Sequence, residues 1–227
     1  MKSKNCAIVQ PHYLPWIGYF ELIRNVDIFV ILDDVQYVKR EWKNRNKIRK
    51  SPSSNDYKWI SVPIKNEKKN LKINEVCIYD ENNDWRNFHK DSISFVYGKA
   101  PNFDEYKDEI FNIILNKQIT SLLELNLKLI KKICEILSIK TPIVLSSDYM
   151  VEKKREFKLL EICKKLSCNT YYANNKTYEM VDKSVFTDSD VKIIPQNYKH
   201  IKYKQLYKNR ELNWISHLSI IDYLFNK

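Results

Sequence analysis

Glycine is scarce in this sequence, with only 2 glycines among 227 residues. Dinucleotide-binding G-x-G-x-x-G turns and phosphate-binding Walker loops both need closely spaced glycines. Gly18 and Gly98 lie far apart along the chain. The sequence therefore excludes both of these nucleotide-binding motifs.

Long apolar runs and metal-binding spacings are also lacking. No run approaches the ~18 apolar residues of a membrane-spanning helix, and residues 1–16 lack the apolar core and cleavage site of a signal peptide. The 5 cysteines are scattered without a C-x-x-C pair, which favours a reducing compartment. With the 4 histidines they form no metal-ligand spacing. We expect a cytoplasmic protein without a metal site.

Positive charge, by contrast, is abundant, with 39 Lys and Arg residues and a formal net charge of +11. Most of these are lysines dispersed along the chain, which is typical of a solvated surface and disfavours nucleic acid as a partner. The density is highest at 39–50, KREWKNRNKIRK, which has seven basic residues and one Glu. This segment predicts an anion site, with a solvated basic face as the alternative.

Short β-rich runs alternate with amphipathic segments along most of the chain. Strands are predicted at 6–10, 27–34, 59–64, 73–79, 142–147, 169–173 and 191–198. Helices are predicted at 16–26, 84–95, 155–168 and 218–226, and over 108–140 as two helices or one broken near 118–121. The order predicts an α/β fold with a mostly parallel sheet flanked by helices. We expect a single domain over 1–227 with a helical insertion at roughly 84–140.

The densest group of candidate residues lies in 10–20, QPHYLPWIGYF. A loop after the first strand of a parallel sheet lies at the carboxyl edge, where α/β folds bind ligands. Gln10 is a candidate substrate ligand, Tyr13 and Trp16 are candidate stacking surfaces, and His12 is a candidate proton-transfer residue. The alternative is that these aromatic residues cap the core.

A second group follows the predicted strand at 27–34. Asp33 at its end is a candidate base or Mg²⁺ ligand, although an aspartate at a strand end is also a common turn former. An arginine and a lysine can grip a diphosphate, and asparagines can bind hydroxyls. The candidate substrate ligands in this group are Gln36, Trp42, Arg45, Asn46 and Lys47.

The late stretch 198–205, YKHIKYKQ, supplies the third group. His200 is the leading candidate for proton transfer, and Tyr203 and Gln205 are candidate substrate ligands that share one face if the stretch is extended. A structural hydrogen bond is the alternative role for His200. Asp222, inside an apolar helix, is expected to partner a donor in the core.

Three of these segments, QPHYLPWIGYF, DIFVILDDVQY and WKNRNKI, strongly resemble the opening of the WbqC-like protein family. Segments at 85–89, 97–101, 198–205 and 218–226 continue the resemblance in order. The family is associated with O-antigen and other bacterial surface-polysaccharide gene clusters. One departure is the absence of glycine at 171–174, where a Tyr-x-x-Gly turn is expected.

A second likeness concerns the fold. Trp16-Ile17-Gly18-Tyr19 resembles the H-x-G-H signature of nucleotidylyltransferases of the HUP class, with aromatic residues in place of both histidines. The likeness implies a Rossmann-like (HUP-like) sheet. Because Trp and Tyr cannot supply the positive charge that stabilises a transferring phosphate, we do not expect ordinary nucleotidyl transfer.

The family resemblance implies a setting in bacterial surface-polysaccharide biosynthesis rather than a reaction, and we expect a transferase. Within that setting, the residues favour transfer of an acyl or aminoacyl group to an amino sugar or nucleotide-linked sugar by direct attack, because no nucleophilic Ser or Cys motif is present. The alternatives are a glycosyltransferase using a nucleotide sugar, with Asp33 or Asp34 as base or metal ligand, and a non-catalytic nucleotide- or RNA-binding module. The expected partner is a small sugar or nucleotide-sugar substrate, and the sequence identifies neither a tightly bound cofactor nor an oligomeric state.

Overall fold

A computed structural model describes residues 4–65, 70–81, 84–207 and 210–227. The strands are β1 (Asn5–Val9), β2 (Ile28–Ile31), β3 (Arg45–Arg49), β4 (Tyr57–Ser61), β5 (Ile143–Leu145), β6 (Thr170–Ala173), β7 (Lys192–Pro195), β8 (Leu206–Tyr207) and β9 (Arg210–Glu211). The α-helices are α1 (Ile17–Arg24), α2 (Trp85–Tyr97), α3 (Phe103–Ile114), α4 (Leu122–Ile136), α5 (Arg155–Lys165), α6 (Asn175–Met180), α7 (Ser184–Thr187) and α8 (Ile220–Asn226). Short 3₁₀ turns occupy Ile73–Glu75 and Ser146–Tyr149.

The chain divides into two compact units. Unit 1 comprises residues 1–11, 18–35 and 138–199, and unit 2 comprises residues 12–17, 36–137 and 200–227. Each unit is assembled from segments that are distant in sequence. The predicted single domain therefore stays a prediction.

Unit 1 contains a five-stranded sheet in the order β5-β2-β1-β6-β7. Every neighbouring pair is parallel, with Ala7 opposite Phe29 and Val30 opposite Val144. Counted along the chain, the five strands follow the order 3-2-1-4-5, as in Rossmann-like folds. The predicted α/β fold with a parallel, helix-flanked sheet is confirmed.

The core of unit 1 forms because the central strands are apolar on both faces, as expected for a covered parallel sheet. Ala7, Phe29 and Val30 are fully buried. Tyr171 on β6 and Ile162 on α5 are also fully buried. At 171–174, where the family resemblance implied a glycine turn, Asn174 instead caps α6 by accepting a hydrogen bond from Thr177 N.

Unit 2 contains the antiparallel pair β3–β4 and the helices α2, α3, α4 and α8. The predicted helical middle segment is confirmed, with a break between α3 and α4. Ser121 begins α4 by accepting a hydrogen bond from Glu124 N. At the end of α2, a Cβ on Gly98 would lie 2.5 Å from Ser94 O, so this close approach requires glycine.

The strand predicted at 73–79 is wrong. Residues Ile73–Glu75 form a 3₁₀ turn, and the residues after it make isolated bridges to two different segments. Cys77 pairs with Ser121, while Ile78 pairs with Ile64. Because consecutive residues pair with different partners, no ladder propagates.

Candidate functional site

The candidate residues named from the sequence are gathered mainly in unit 2. Only Gln10 and Asp33 belong to unit 1. The unit 2 members are His12, Tyr13, Trp16, Gln36, Trp42, Arg45, Asn46, Lys47, His200, Tyr203 and Gln205. Residues separated by more than 180 positions in sequence thus share one compact unit.

The loop containing Tyr13 and Leu14 is held by hydrogen bonds to its backbone. Asn46 is fully buried, and its Nδ2 donates to Tyr13 O at 3.0 Å and Leu14 O at 2.6 Å. Ser219 Oγ also donates to Leu14 O, at 2.8 Å. Leu14 has a φ of 43°, a left-handed conformation that these contacts stabilise. Asn46 is therefore a positioning residue for this loop.

Tyr13 lies in the core of unit 2. Its side chain is fully buried, and its hydroxyl forms a hydrogen bond with His89 Nδ1 at 2.8 Å. Burial lowers the pKa of His89 to about 4, so this imidazole is neutral at pH 7. These contacts place Tyr13 among the core-capping aromatic residues.

Trp16 is the centre of a ring cluster that we call the imidazole–indole cluster: Trp16, His200, Trp214 and His217. The Trp16 ring centroid lies 5.0 Å from that of His200 and 4.8 Å from that of His217. The two imidazole centroids are 4.1 Å apart, and Trp214 lies 5.3 Å from His200. Trp214 Nε1 is buried and donates to no acceptor in the described residues.

Both imidazoles of the cluster are shifted toward the neutral form. Burial lowers the pKa of His200, and His217 contributes to the same shift. Burial also lowers the pKa of His217, with a further contribution from the positive charge of Lys47. A neutral imidazole can accept a proton, so this cluster contains two potential bases.

His217 is a site residue that the sequence analysis missed. It lies outside the quoted motifs, and it is the most exposed member of the cluster, with its ring partly covered by Trp16 and His200. Its φ is 57°, a left-handed conformation in which histidine is enriched relative to most residues. Nearby, Ser219 N donates to Lys47 O at 2.9 Å, which ties this turn to β3. The available signal was only a histidine directly before a C-terminal apolar helix.

The outward surface of the β3–β4 pair carries Arg45, Lys47, Tyr57 and Trp59, and the ring of Trp42, just before β3, packs against it. We call these five residues the hairpin face. Arg45 Cζ lies 4.1 Å from the Trp59 ring centroid. Lys47 Nζ lies 4.1 Å from the Tyr57 ring, 5.2 Å from Trp59 and 5.7 Å from Trp42. The rings of Trp42 and Trp59 are 5.1 Å apart.

Strand alternation produces the hairpin face. Asn46, Ile48 and Ile60 point into the core and are fully buried, so their neighbours Lys47 and Trp59 point the other way. Within the described parts of the chain, neither Arg45 nor Lys47 has a carboxylate within salt-bridge distance. Their two positive charges are therefore available to an anion.

Gln205 and Tyr203 belong to a buried polar network. Gln205 is 1% exposed, its Nε2 donates to Ile215 O, and its Oε1 accepts from Ile215 N and from Arg49 Nη2. The Tyr203 hydroxyl donates to Asp222 Oδ1 at 2.7 Å. Asp222 thus has the core donor that the sequence predicted for it. These contacts favour a positioning role for Tyr203 and Gln205.

Asp33 is bound within unit 1. Its carboxylate is 1% exposed, and Oδ1 accepts from Ser146 Oγ at 2.9 Å and from Ser147 N at 3.0 Å. The adjacent Asp34 accepts from Lys158 Nζ at 2.7 Å. A carboxylate so enclosed fits a structural role better than that of a base or metal ligand.

The remaining candidates lie outside the two ring groups just described. The Gln10 carbonyl accepts from the Tyr19 hydroxyl at 3.1 Å within unit 1. Gln36 is exposed, and its Nε2 donates to Asn70 Oδ1 at 3.0 Å. His12 is half-buried in the loop that precedes Tyr13. Nothing in these contacts assigns the three residues to a ligand.

The described residues contain neither a metal-binding group nor a membrane-spanning helix. Within 4–65, 70–81, 84–207 and 210–227, no three His, Cys, Asp or Glu side chains are grouped so that they could hold a metal ion. In the same ranges, no helix has the length and apolar character needed to cross a membrane.

Comparison with known proteins places this chain in a family. The model of the WbqC-like protein family matches residues 10–227. The chain belongs to the WbqC-like protein family. The chain is also 36% identical over 225 residues to an uncharacterized protein of Mycobacterium tuberculosis, a match covering 98% of this chain and 94% of that protein. No solved structure matches the chain.

Proposed function

We propose that this WbqC-like protein is a transferase of bacterial surface-polysaccharide biosynthesis that moves an acyl or aminoacyl group to the amine of a sugar. The sugar is an amino sugar, free or nucleotide-linked, and the transfer proceeds by direct attack. The setting rests on the family resemblance, and the chemistry rests on unit 2.

The observation that carries the proposal is the pair of neutral imidazoles beside an unbalanced cation. His200 and His217 have ring centroids 4.1 Å apart, and the charge of Lys47 acts on His217. Acyl transfer to an amine needs a base that is unprotonated near neutral pH. A sugar that carries phosphate also needs positive charge nearby. Unit 2 supplies both, with the imidazoles in the imidazole–indole cluster and Lys47 on the hairpin face.

The proposed step balances without a cofactor. The lone pair of the sugar amine attacks the carbonyl carbon of the acyl donor, and a C–N bond forms. One imidazole of the pair removes the proton that the amine loses. The bond from the carbonyl carbon to the leaving group breaks, and the imidazolium returns the proton to that group. Bringing amine and donor together contributes the remaining rate enhancement.

Trp16 and Arg45 have binding roles in this proposal. An indole stacks on the apolar face of a sugar ring, and Trp16 lies against both imidazoles. Arg45 can bind phosphate oxygens through its guanidinium fork, with Lys47 as a second point charge. Trp214 Nε1, buried without an acceptor in the described residues, would donate to a substrate oxygen only if the ring shifted on binding.

The proposal is tested by incubating the purified protein with UDP-, GDP- and dTDP-linked amino sugars and coenzyme A thioesters or aminoacyl esters. Mass spectrometry of the sugar product is the readout. We expect a mass gain of one acyl group on sugars with a free amine and none on their hydroxyl counterparts. The variants His200→Ala and His217→Ala should identify the base through a loss of about 10²–10⁴ in rate.

Added imidazole should restore part of the activity of whichever alanine variant has lost the base. Lys58→Met serves as the control, because Lys58 lies on β4 with its side chain on the opposite face from Lys47. Release of a nucleoside diphosphate with movement of the sugar itself would instead favour a glycosyltransferase. Full activity in both histidine variants would contradict the assigned base.

A further inference from the structure

We propose that the hairpin face binds the nucleoside diphosphate part of the substrate, with Arg45 and Lys47 on the diphosphate and the Trp42–Trp59 pair against the base. The inference deepens the proposed function and rests on it for the sugar end of the substrate. It also identifies the group that carries the sugar as a nucleoside diphosphate, which the proposed function leaves open.

The hairpin face carries two positive charges that have no ion-pair partner. They belong to Arg45 and Lys47, and within the described ranges no carboxylate forms a salt bridge with either. Arg45 Nε is buried and donates to no acceptor in those residues. A buried donor without an acceptor is unfavourable, and a phosphate oxygen that reached Arg45 Nε would satisfy it. Two cations match the two negative charges of a bound diphosphate.

The aromatic residues hold these cations without cancelling their charge. Arg45 and Lys47 make four cation–π contacts with the rings of Trp42, Tyr57 and Trp59. The rings pre-organise the cations, which lowers the entropy cost of gripping a phosphate.

The side chains of this face distinguish a nucleotide from the two other carriers of a phosphorylated group, a prenyl chain and an RNA strand. The positions of β3 and β4 on this face carry Arg45, Lys47, Arg49, Tyr57, Trp59 and Ser61, and the aliphatic residues Ile48 and Ile60 are buried on the other side. Arg49 is itself buried and donates to Ser54 O, Asn213 O and Gln205 Oε1, so it adds no charge to the surface. A prenyl chain needs an aliphatic groove, whereas a planar base stacks on indoles. An RNA strand needs a succession of such sites along its backbone. The face fits one nucleotide.

Isothermal titration calorimetry tests the assignment with UDP, dTDP, GDP and ADP. Uridine, inorganic pyrophosphate, farnesyl diphosphate and a uridine-rich RNA 10-mer are compared at two salt concentrations. We expect one nucleoside diphosphate to bind at least about tenfold more tightly than its nucleoside or pyrophosphate. Arg45→Gln and Lys47→Gln should each weaken binding of both the nucleotide and pyrophosphate about tenfold or more.

Variants of the aromatic residues separate the contribution of the base to nucleotide binding from that of the diphosphate. Trp42→Leu and Trp59→Leu should weaken nucleotide binding roughly tenfold while affecting pyrophosphate much less. Tyr57→Leu provides a milder change at a 40% exposed ring if a tryptophan variant fails to fold. Lys58→Met and Phe88→Leu are matched controls, since Lys58 points to the other face of β4 and Phe88 is an exposed ring on α2.

Three results would overturn the assignment: unchanged nucleotide affinity in all hairpin-face variants, equal binding of farnesyl diphosphate and the best nucleotide, or tight binding of RNA alone. These results are distinct from failure of the proposed function. Nucleotide binding that depends on Arg45 and Trp59 without acyl transfer would contradict only the proposed function. Acyl transfer to a free amino sugar, without nucleotide binding, would contradict only the carrier.

Discussion

The imidazole rings of His200 and His217 meet edge to face, with centroids 4.1 Å apart and an interplanar angle of 72°. Two imidazolium ions so close would repel one another, whereas two neutral rings pack without that cost. The contact with Trp16 covers part of both rings. The close packing therefore contributes to the lowered pKa of each imidazole by burying the rings, and His217 adds to the shift of His200.

We predict that His200 and His217 titrate below the ordinary imidazole pKa of 6.5 and in two coupled steps. Burial is the main cause for both, and the second cause is His217 for His200 and Lys47 for His217. Removing the positive charge with Lys47→Met should raise the pKa of His217. NMR titration of the imidazole resonances measures both values.

Lys50→Met is the control for this titration, because Lys50 is exposed and pairs with Asp56. It should leave the His217 pKa unchanged. Addition of pyrophosphate should act in the same direction as Lys47→Met, since a bound anion offsets the lysine charge. A His217 pKa that stays the same in Lys47→Met and after addition of pyrophosphate would show that Lys47 does not act on this imidazole.

Much of the fold was predictable because it depends on local patterns. The apolar run before Asp33 predicted a covered strand, and the repeated strand–helix–strand order predicted a strand at 169–173. The spacing of Leu122 to Leu129 predicted α4 within the helical middle segment. The 3₁₀ turn at Ile73 was missed, because its burial results from contacts with separate segments rather than from one ladder. Local pattern does not encode such pairings.

The sequence predicted which residues lie at the site better than it predicted what each residue does there. Trp16, Arg45, Lys47 and His200 lie in the two ring groups. Asn46 and Gln205 have the polar side chains of ligand-binding residues, yet their amides satisfy the backbone of distant segments. Sequence shows that a side chain can form hydrogen bonds, but the partner depends on tertiary structure. The same reason explains why His217 was missed.

A second prediction concerns His89, whose pKa is lowered to about 4 by burial. In the unfolded chain its pKa is about 6.5, so the unfolded state binds more protons between these values. The stability that depends on a neutral His89 is therefore fully present above pH 6.5 and is lost as the pH falls toward 4. The contribution of His89 to this loss is roughly 3 kcal/mol.

Denaturant unfolding at pH 7.5, 6, 5 and 4 measures the effect. His89→Gln should lower stability at pH 7.5 and flatten the slope between pH 6.5 and 4, because glutamine does not titrate. Tyr13→Phe should lower stability by about 1–3 kcal/mol, since it leaves the buried Nδ1 without its partner. An unchanged slope in His89→Gln would exclude His89 as a cause of acid sensitivity.

A third prediction separates a positioning role from substrate binding at Gln205. Gln205→Leu removes hydrogen bonds to Ile215 N, Ile215 O and Arg49 Nη2 in a nearly fully buried site. The expected loss is about 2–4 kcal/mol of unfolding free energy. Lys204→Leu, at an exposed neighbouring position, should change stability by less than about 0.5 kcal/mol. Normal stability with lost nucleotide-sugar binding would instead make Gln205 a ligand residue.

A fourth prediction uses two lysine–carboxylate pairs of unit 1 that differ in burial. Lys158 and Asp34 are 8% and 12% exposed, whereas Lys153 and Glu161 are 60% and 30% exposed. Lys158→Met leaves the Asp34 carboxylate without this partner and should cost about 3–5 kcal/mol. Lys153→Met, its matched control, should cost less than about 1 kcal/mol.

The same network decides the role of Asp33, which shares Ser146 with Asp34. The single hydroxyl proton of Ser146 can serve one carboxylate at a time, while Asp33 N donates to the hydroxyl oxygen. If Asp33 is structural, Asp33→Asn and Ser146→Ala lower stability and leave the rate of the folded fraction within about threefold of normal. If Asp33 is a base or a metal ligand, Asp33→Asn abolishes turnover at unchanged stability, and EDTA reproduces the loss in the metal case. Measuring the melting temperature and the turnover of both variants together separates the alternatives, because a buried carboxylate that only holds two strand ends has no route to affect the chemical step.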